Sequence, residues 1–180
     1  MRPDLKKLID QAKNGDEEAF GKIYNLFLTK IYRYTYFSVR NRELAEDITQ
    51  EAFLKCWGAL SSFSAKKGSF SSFLFAIARN LIVDYSRKKK QISLEVVKDY
   101  QLLDTKNVDE DIIIEEENKI LAKALSKLEE KEKNILVLRY FEDLSFADIG
   151  RIVGKKEATV RVALHRILKF VKTEIINNEN

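Results

Sequence analysis

A single proline, Pro3, and six glycines are the main helix breakers in a chain of 180 residues. Proline removes a backbone donor and clashes with the preceding turn, and glycine weakens a helix interior by about 1 kcal/mol relative to alanine. With so few of either, and almost no period-two alternation of apolar and polar residues, the chain has little but helix open to it. The expected fold class is all-α. Apolar residues recur at steps of three and four. Leu5, Leu8, Ile9 and Ala12 follow Pro3, which suits a first helical turn, and Asn14-Gly15 stops them. After Asp16, a cap by type, come Ala19, Phe20, Ile23, Tyr24, Phe27 and Ile31, as far as the cluster Tyr32, Tyr34, Tyr36 and Phe37. Asn41 caps a third pattern, Arg42 to Leu60, with Leu44, Ala45, Ile48, Ala52, Phe53 and Trp57 on its inner side. A fourth runs from Phe70 through Phe73, Leu74, Ile77, Ala78, Leu81, Ile82 and Tyr85, and ends in Arg87-Lys88-Lys89-Lys90.

Composition shifts at Gln91. Between there and Asn118, nine acids (Glu95, Asp99, Asp104, Asp109, Glu110, Asp111, Glu115, Glu116 and Glu117) face two bases, Lys98 and Lys106, without a sustained apolar face. This reads as a flexible acidic linker, residues 91–117, with a helical start around Ile112 to Ile114. It divides the chain into two small helical domains, 1–90 and 118–180. In the second, Lys119 to Leu128 is one helical pattern, Glu129 to Lys133 a polar joint, and Ile135 to Tyr140 another helix.

Asp143 to Lys172 completes that domain. Ser145 is an N-cap type with Asp148 three residues on, and Phe146, Ile149, Ile152 and Val153 keep helical spacing to Gly154, a left-handed stop. Beyond Lys155-Lys156, Val160, Leu164, Ile167, Leu168 and Val171 mark the packed side of a longer helix. Ala158, Val162, His165 and Lys169 fall on the opposite side, with Arg161 and Arg166 on its shoulders. A short helix, a glycine turn and a longer helix with a basic outer face suit a helix-turn-helix that enters the DNA major groove. An αα-hairpin with a solvated basic face accounts for the same stretch.

Two other polar groups have two readings each. Asp47, Gln50, Glu51 and Lys55 form an exposed strip on the third helix, which solvation alone explains. The loop Ser61 to Ser69, with Phe63 as an aromatic tip beside Lys66 and Lys67, could stack a single-stranded base, with the basic tail of the next helix on its phosphates. It could equally be a surface loop, the lysines favouring a helix C-terminus.

The remaining composition narrows the classes. Net charge is +4, which suits a polyanion. One cysteine, Cys56, leaves no internal disulfide, and His165 is the single histidine, so metal coordination and histidine acid–base catalysis lack parts. No enzyme activity and no cofactor are expected. No apolar run reaches the roughly 18 residues of a membrane span, and nothing at the N-terminus resembles a signal peptide. The expected location is the cytoplasm.

Three blocks together resemble a known family. They are Gly15-Asp16-Glu17-Glu18-Ala19-Phe20 with Ala45-Glu46-Asp47-Ile48-Thr49-Gln50-Glu51-Ala52-Phe53-Leu54-Lys55-Cys56-Trp57; Phe70 to Asp84; and Leu144-Ser145-Phe146-Ala147-Asp148-Ile149-Gly150 with Ala158-Thr159-Val160-Arg161 and His165-Arg166. In this order, joined by a linker, they resemble the extracytoplasmic-function sigma factors of the bacterial sigma-70 family. The resemblance implies binding to core RNA polymerase, to its clamp helices through Asp47, Gln50 and Glu51, and also to its flap. It implies contacts to the minus-ten promoter element from Phe63, Lys66, Lys67, Arg79, Asn80, Arg87 and Lys88. For the minus-thirty-five element it implies Thr159, Arg161, Val162, His165, Arg166 and Lys169. Promoter DNA and an anti-sigma protein are the further implied partners.

The pattern departs from the family at Ala158, where glycine is common, at Val162-Ala163, where Ser-Arg is frequent, and at Phe73, where tryptophan is frequent. The implied mechanism is binding alone: two DNA elements about 70 Å apart are held at once, and an extended linker of this length spans at most about 90 Å. Bases flipped from the melted strand are trapped in pockets, which offsets a few kcal/mol of unstacking. A stand-alone dimeric regulator would leave the Asp47 to Glu51 strip unexplained, and a metal-dependent nuclease would need acids on a fixed scaffold, which the linker is not.

Overall fold

A computed structural model describes residues 4–96 and 123–179. The chain divides into two compact units, Met1–Leu102 and Leu103–Asn180. Every regular element among the described residues is helical. Pro3, the linker from position 97 onward, the start at Ile112 to Ile114 and the front of the helix from Lys119 lie outside those residues.

The first unit holds α1 (Leu5–Lys13), α2 (Glu17–Val39), α3 (Arg42–Ala59), a 3₁₀ turn (Leu60–Ser62) and α4 (Phe70–Val96). The expected caps are present. Asp16 accepts from the Ala19 N–H at 2.9 Å and Asn41 from that of Leu44 at 2.8 Å, each filling a donor that the first helical turn leaves open. The cap of α1 is Asp4, which accepts from Lys6 and Lys7. α2 packs on α1, α3 and α4, and α3 on α4. Ile23, Phe27, Ile31 and Tyr34 of α2 meet Ala45, Ile48, Ala52 and Phe53 of α3 and Leu74, Phe75 and Ala78 of α4 in one core. Inside it, Thr35 Oγ1 lies 2.9 Å from Thr49 Oγ1, and Thr49 donates to the Ala45 carbonyl at 2.6 Å, so both threonine hydroxyls are satisfied. α4 corrects one expectation. It does not end at Lys90 but continues through Gln91–Val96, six residues into the stretch assigned to the linker, because neither glycine nor proline interrupts it there.

In the second unit residues 123–126 are helical, followed by α5 (Glu130–Leu136), a π-helical continuation (Val137–Phe141), α6 (Phe146–Val153) and α7 (Glu157–Glu179). The polar joint expected at Glu129 to Lys133 is instead the first turn of α5. Glu132 reaches back to accept from the Glu129 N–H at 3.0 Å, which is why acids cluster there. The core is aliphatic: Leu128, Ile135, Leu138, Ile149, Ile152, Val160, Leu164 and Ile167. Leu168, expected on the packed side of α7, is 41% exposed. At about 100° per residue it sits about 70° off the line of Val160, Leu164, Ile167 and Val171, at the edge of the buried stripe.

Candidate functional site

The recognition element of the second unit is set by its turn. Ser145 Oγ accepts from the Asp148 N–H at 3.1 Å and donates to the Asp148 carboxylate at 2.8 Å, and Asp148 in turn pairs with Arg151 at 3.0 Å. Gly154 closes α6 in the left-handed conformation, φ 69°. Gly150 permits the close approach of the chain beyond it: a Cβ there would lie 2.6 Å from the Lys155 carbonyl oxygen. The Lys155 N–H bonds the Gly150 carbonyl at 2.9 Å. α7 is thereby directed away from α6 by main-chain contacts, not by side-chain packing alone.

On α7, Thr159, Arg161, Val162, His165, Arg166 and Lys169 are all exposed, while Val160, Leu164, Ile167 and Val171 are buried. Val162 is 52% exposed, an apolar residue in the middle of a cationic face. Arg161 is held in place. Its guanidinium pairs with Glu157 at 2.7 Å and stands 5.1 Å from the centre of the Phe146 ring, whose surroundings also include Arg139 at 5.0 Å. An arginine so restrained loses less rotamer freedom when it meets a phosphate or a guanine edge. Arg139 was not among the residues singled out by sequence. It donates to the Leu144 carbonyl at 2.9 Å, which ties the π-helical segment to the start of the turn.

In the first unit, Asp47, Gln50 and Glu51 share one exposed face of α3, with Glu51 paired to Lys55 at 3.1 Å. Beside them sequence reasoning missed an apolar feature. Leu54 is 72% exposed, and an open groove of about 410 Å³ is lined by Glu17, Phe20, Tyr24, Gln50, Phe53, Leu54 and Trp57. The Phe20 and Trp57 rings pack at 4.7 Å and those of Tyr24 and Phe53 at 4.6 Å to form its floor. The signal was available: at about 100° per residue Leu54 falls on the side of α3 opposite Ala45, Ile48, Ala52 and Cys56.

The loop Ser61 to Ser69 differs from its expected form. Phe63 is not an aromatic tip. It is 9% exposed, with its ring 5.5 Å from Phe70 and 5.4 Å from Phe73. Removing that much apolar surface from water stabilises the unit more than display on a loop would. Lys66 and Lys67 are exposed as expected, as are Asn80, Arg87 and Lys88, while Arg79 is half-buried. Arg79 lies near enough to Tyr34 to favour the ionised phenol, yet desolvation dominates and keeps that fully buried hydroxyl protonated, well above the usual tyrosine range. The Tyr34 oxygen has no hydrogen-bond partner among the described residues.

Among the described residues, no helix is long and apolar enough to cross a membrane, and no group of three or more His, Cys, Asp or Glu is placed to hold a metal ion.

The chain matches the family models Sigma-70 region 2 over residues 23–92 and Sigma-70, region 4 over residues 118–171. It is 35% identical to the ECF RNA polymerase sigma factor SigW of Bacillus subtilis over 92% of this chain and 94% of that protein. It is 31% identical to the ECF RNA polymerase sigma factor BldN of Streptomyces coelicolor over 92% of this chain, spanning 63% of that longer protein. Among solved structures it is similar in fold to CnrH in complex with the cytosolic domain of CnrY, with a TM-score of 0.68, 19% identity, and coverage of 96% of this chain and 97% of that one. RpoE of Bartonella quintana, in complex with the anti-sigma factor NepR, is similar at a TM-score of 0.68 and 18% identity, over 87% of this chain and 96% of that one. The two domain matches in this order, with full-length likeness to SigW, place the chain in the ECF sigma factors of the sigma-70 family, non-enzymatic subunits that direct promoter-specific transcription initiation by RNA polymerase.

Proposed function

We propose that the chain reads a promoter through two domains, residues 1–90 on the minus-ten element and 118–180 on the minus-thirty-five element, joined by the acidic segment between them. The observation that carries this is the outer face of α7. Arg161, Val162, His165, Arg166 and Lys169 are exposed together beyond Thr159, and Arg161 is braced by Glu157 and Phe146. This is a cationic, partly apolar surface at the start of a helix, suited to phosphates, a guanine edge and a thymine methyl. Asp47, Gln50 and Glu51, with the groove beside Leu54, are the surface we assign to the clamp helices of core polymerase, the flap being a second contact. An acidic rim around exposed apolar side chains favours a basic helical partner.

Lys66, Lys67, Arg79, Asn80, Arg87 and Lys88 are assigned to the opened minus-ten strand. Phe63 supports them from beneath and does not itself stack on a base. An anti-sigma protein is a further proposed partner, and the cytoplasm, where the polymerase works, the proposed location.

Transcription from genomic fragments by purified core RNA polymerase tests the reading. Added protein is expected to give discrete new start sites. Asp47→Lys with Glu51→Lys should remove all of them and reduce core binding by at least about tenfold, as reversed interfacial charges do. Arg161→Ala with Arg166→Ala should weaken upstream protection by roughly ten- to hundredfold. An absence of new starts, together with tight duplex binding by the protein alone, would establish a stand-alone regulator instead.

A further inference from the structure

Lys13, the last residue of α1, and Phe63 are fifty positions apart in sequence and meet in two ways. The Lys13 ammonium donates to the Phe63 carbonyl, and it stands 5.3 Å from the centre of the Phe63 ring. Phe63 is the hinge of the loop that follows. Its N–H is spent on the Leu60 carbonyl at 3.1 Å, closing the 3₁₀ turn. Its ring is wedged against Phe70 and Phe73, and Phe70 lies 5.4 Å from Phe27. The carbonyl is therefore the last fixed group before Ser64.

From there the chain makes a turn of its own, with the Lys67 N–H bonding the Ser64 carbonyl at 2.9 Å, and presents Ala65, Lys66 and Lys67 to solvent. It is caught again at Ser69, whose hydroxyl accepts from the Ser72 N–H at 3.0 Å and whose carbonyl accepts from the Ser72 hydroxyl at 2.8 Å. The far root belongs to the start of α4. The near root is held by a charge-assisted bond from a different helix.

We propose that Lys13 is a positioning residue for promoter opening: by gripping Phe63 at carbonyl and ring, it fixes the root of the loop and with it the placement of Lys66 and Lys67 against the melted strand. This rests on the assignment of the loop to the minus-ten element. A loop without periodic structure has no register of its own, so small motions at its root become larger ones at its tip. An ammonium that bonds a carbonyl and faces a ring at once restricts both the peptide plane and the side chain of one residue.

Holoenzyme reconstituted from core polymerase and the full chain is titrated with a fork-junction DNA from a mapped start site, its minus-ten strand single-stranded downstream. Lys13→Met is expected to bind this fork about tenfold more weakly, the scale of one lost hydrogen bond to a charged group. Core binding and upstream duplex protection should be unchanged, and Lys13→Arg, which keeps charge and donor, should restore the fork affinity. The slope of log affinity against log salt should stay that of the parent. A slope smaller by about one would make Lys13 a direct phosphate contact and overturn the proposal.

Lys66→Ala with Lys67→Ala separates the two ideas. If this pair weakens fork binding while Lys13→Met does not, the loop assignment stands and the role of Lys13 is refuted. If neither does, both are refuted. Should Lys13→Met lose its cooperative helical melt, Lys13→Gln, which keeps a neutral donor, takes its place with the same expected direction.

Discussion

The first unit adds rings to an aliphatic core, whereas the buried apolar residues described in the second are aliphatic alone. Phe27, Tyr34, Phe53, Phe63, Phe70 and Phe75 are buried in one, and Ile149, Ile152, Val160, Leu164 and Ile167 in the other. The contrast follows from what each presents. The second unit displays a helix, whose side chains are registered by its own backbone bonds, so its core need only hold α6 and α7 in place. The first presents a loop and an α3 face. A loop has no internal register, and the rings of Phe63, Phe70 and Phe73, rigid about two torsions each, hold its roots where smaller side chains would leave slack.

Alkaline pH should separate the units most sharply. The first unit buries a thiol and a phenol. Desolvation pushes Cys56 from 9.0 up to about 12 and raises Tyr34 above its ordinary 10.0. Both acids keep their protons in the folded state while the unfolded chain releases them. Their contribution to stability is complete below about pH 9, the unfolded thiol value, and is lost as pH rises toward the folded values. Each contributes a slope of up to about 1.4 kcal/mol per pH unit. Trp57, the single tryptophan, lies in α3, so urea titration followed by its fluorescence reads this unit. The midpoint is expected to hold from pH 7 to 8.5 and to fall steeply by pH 10.5. A midpoint unchanged across that range would mean that the two groups reach water in the folded protein. Tyr140 of the second unit is exposed, so the same loss is not expected there.

A second contrast needs only a methyl group. At Gly150 a Cβ would press on the backbone oxygen of Lys155 at 2.6 Å, whereas at Gly58, within α3, it would meet nothing within 4 Å. Gly150→Ala is expected to destabilise the second unit by about 1–3 kcal/mol and to weaken upstream protection, since the turn that aims α7 must open. Gly58→Ala should stabilise the first by about 0.5–1 kcal/mol. Circular-dichroism melts of the two variants check the opposite signs, and a neutral Gly150→Ala would show that the turn adapts at little cost.

The two units were also unequally legible in sequence. Ser145, Gly154 and the apolar steps of α7 announce a cap, a stop and a buried stripe, and all three are where the residue types place them, except for Leu168 at the stripe's edge. Each is a local rule, readable within about four residues. What misled was non-local. Phe63 reads as a loop aromatic by its serine neighbours, and only the arrival of Phe70, Phe73 and Lys13 buries it. The groove beside Gln50 needs α2 laid against α3 before Phe20 and Trp57 can meet. Gly150 looks like a mild helix weakener until the chain returns to Lys155. The end of α4 was misplaced for another reason: a shift in charge marks where composition changes, but a helix stops at a breaker, and none precedes Val96.

The smallest expected effect concerns two residues caught in the same unfavourable backbone region. Arg40, at the end of α2, has φ 52°, and Asp143, at the start of the turn into α6, has φ 49°. For an L-residue this conformation costs about 1–2 kcal/mol, which glycine avoids, less about 0.5–1 kcal/mol for the greater freedom glycine has when unfolded. At Asp143 little else is at stake. Its side chain is 96% exposed and lies 3.8 Å from Arg139, a surface pair worth at most about 1 kcal/mol and often nothing. Arg40 has its guanidinium 5.0 Å from the centre of the Phe37 ring, a contact worth about 0.5–1 kcal/mol at an exposed site. Asp143→Gly should therefore stabilise the second unit by about 0.5 kcal/mol, and Arg40→Gly should leave the first near its parent value. Equal gains in chemical denaturation would show that the ring contact at Arg40 contributes nothing, and that the aromatic character of the first unit ends at its buried core.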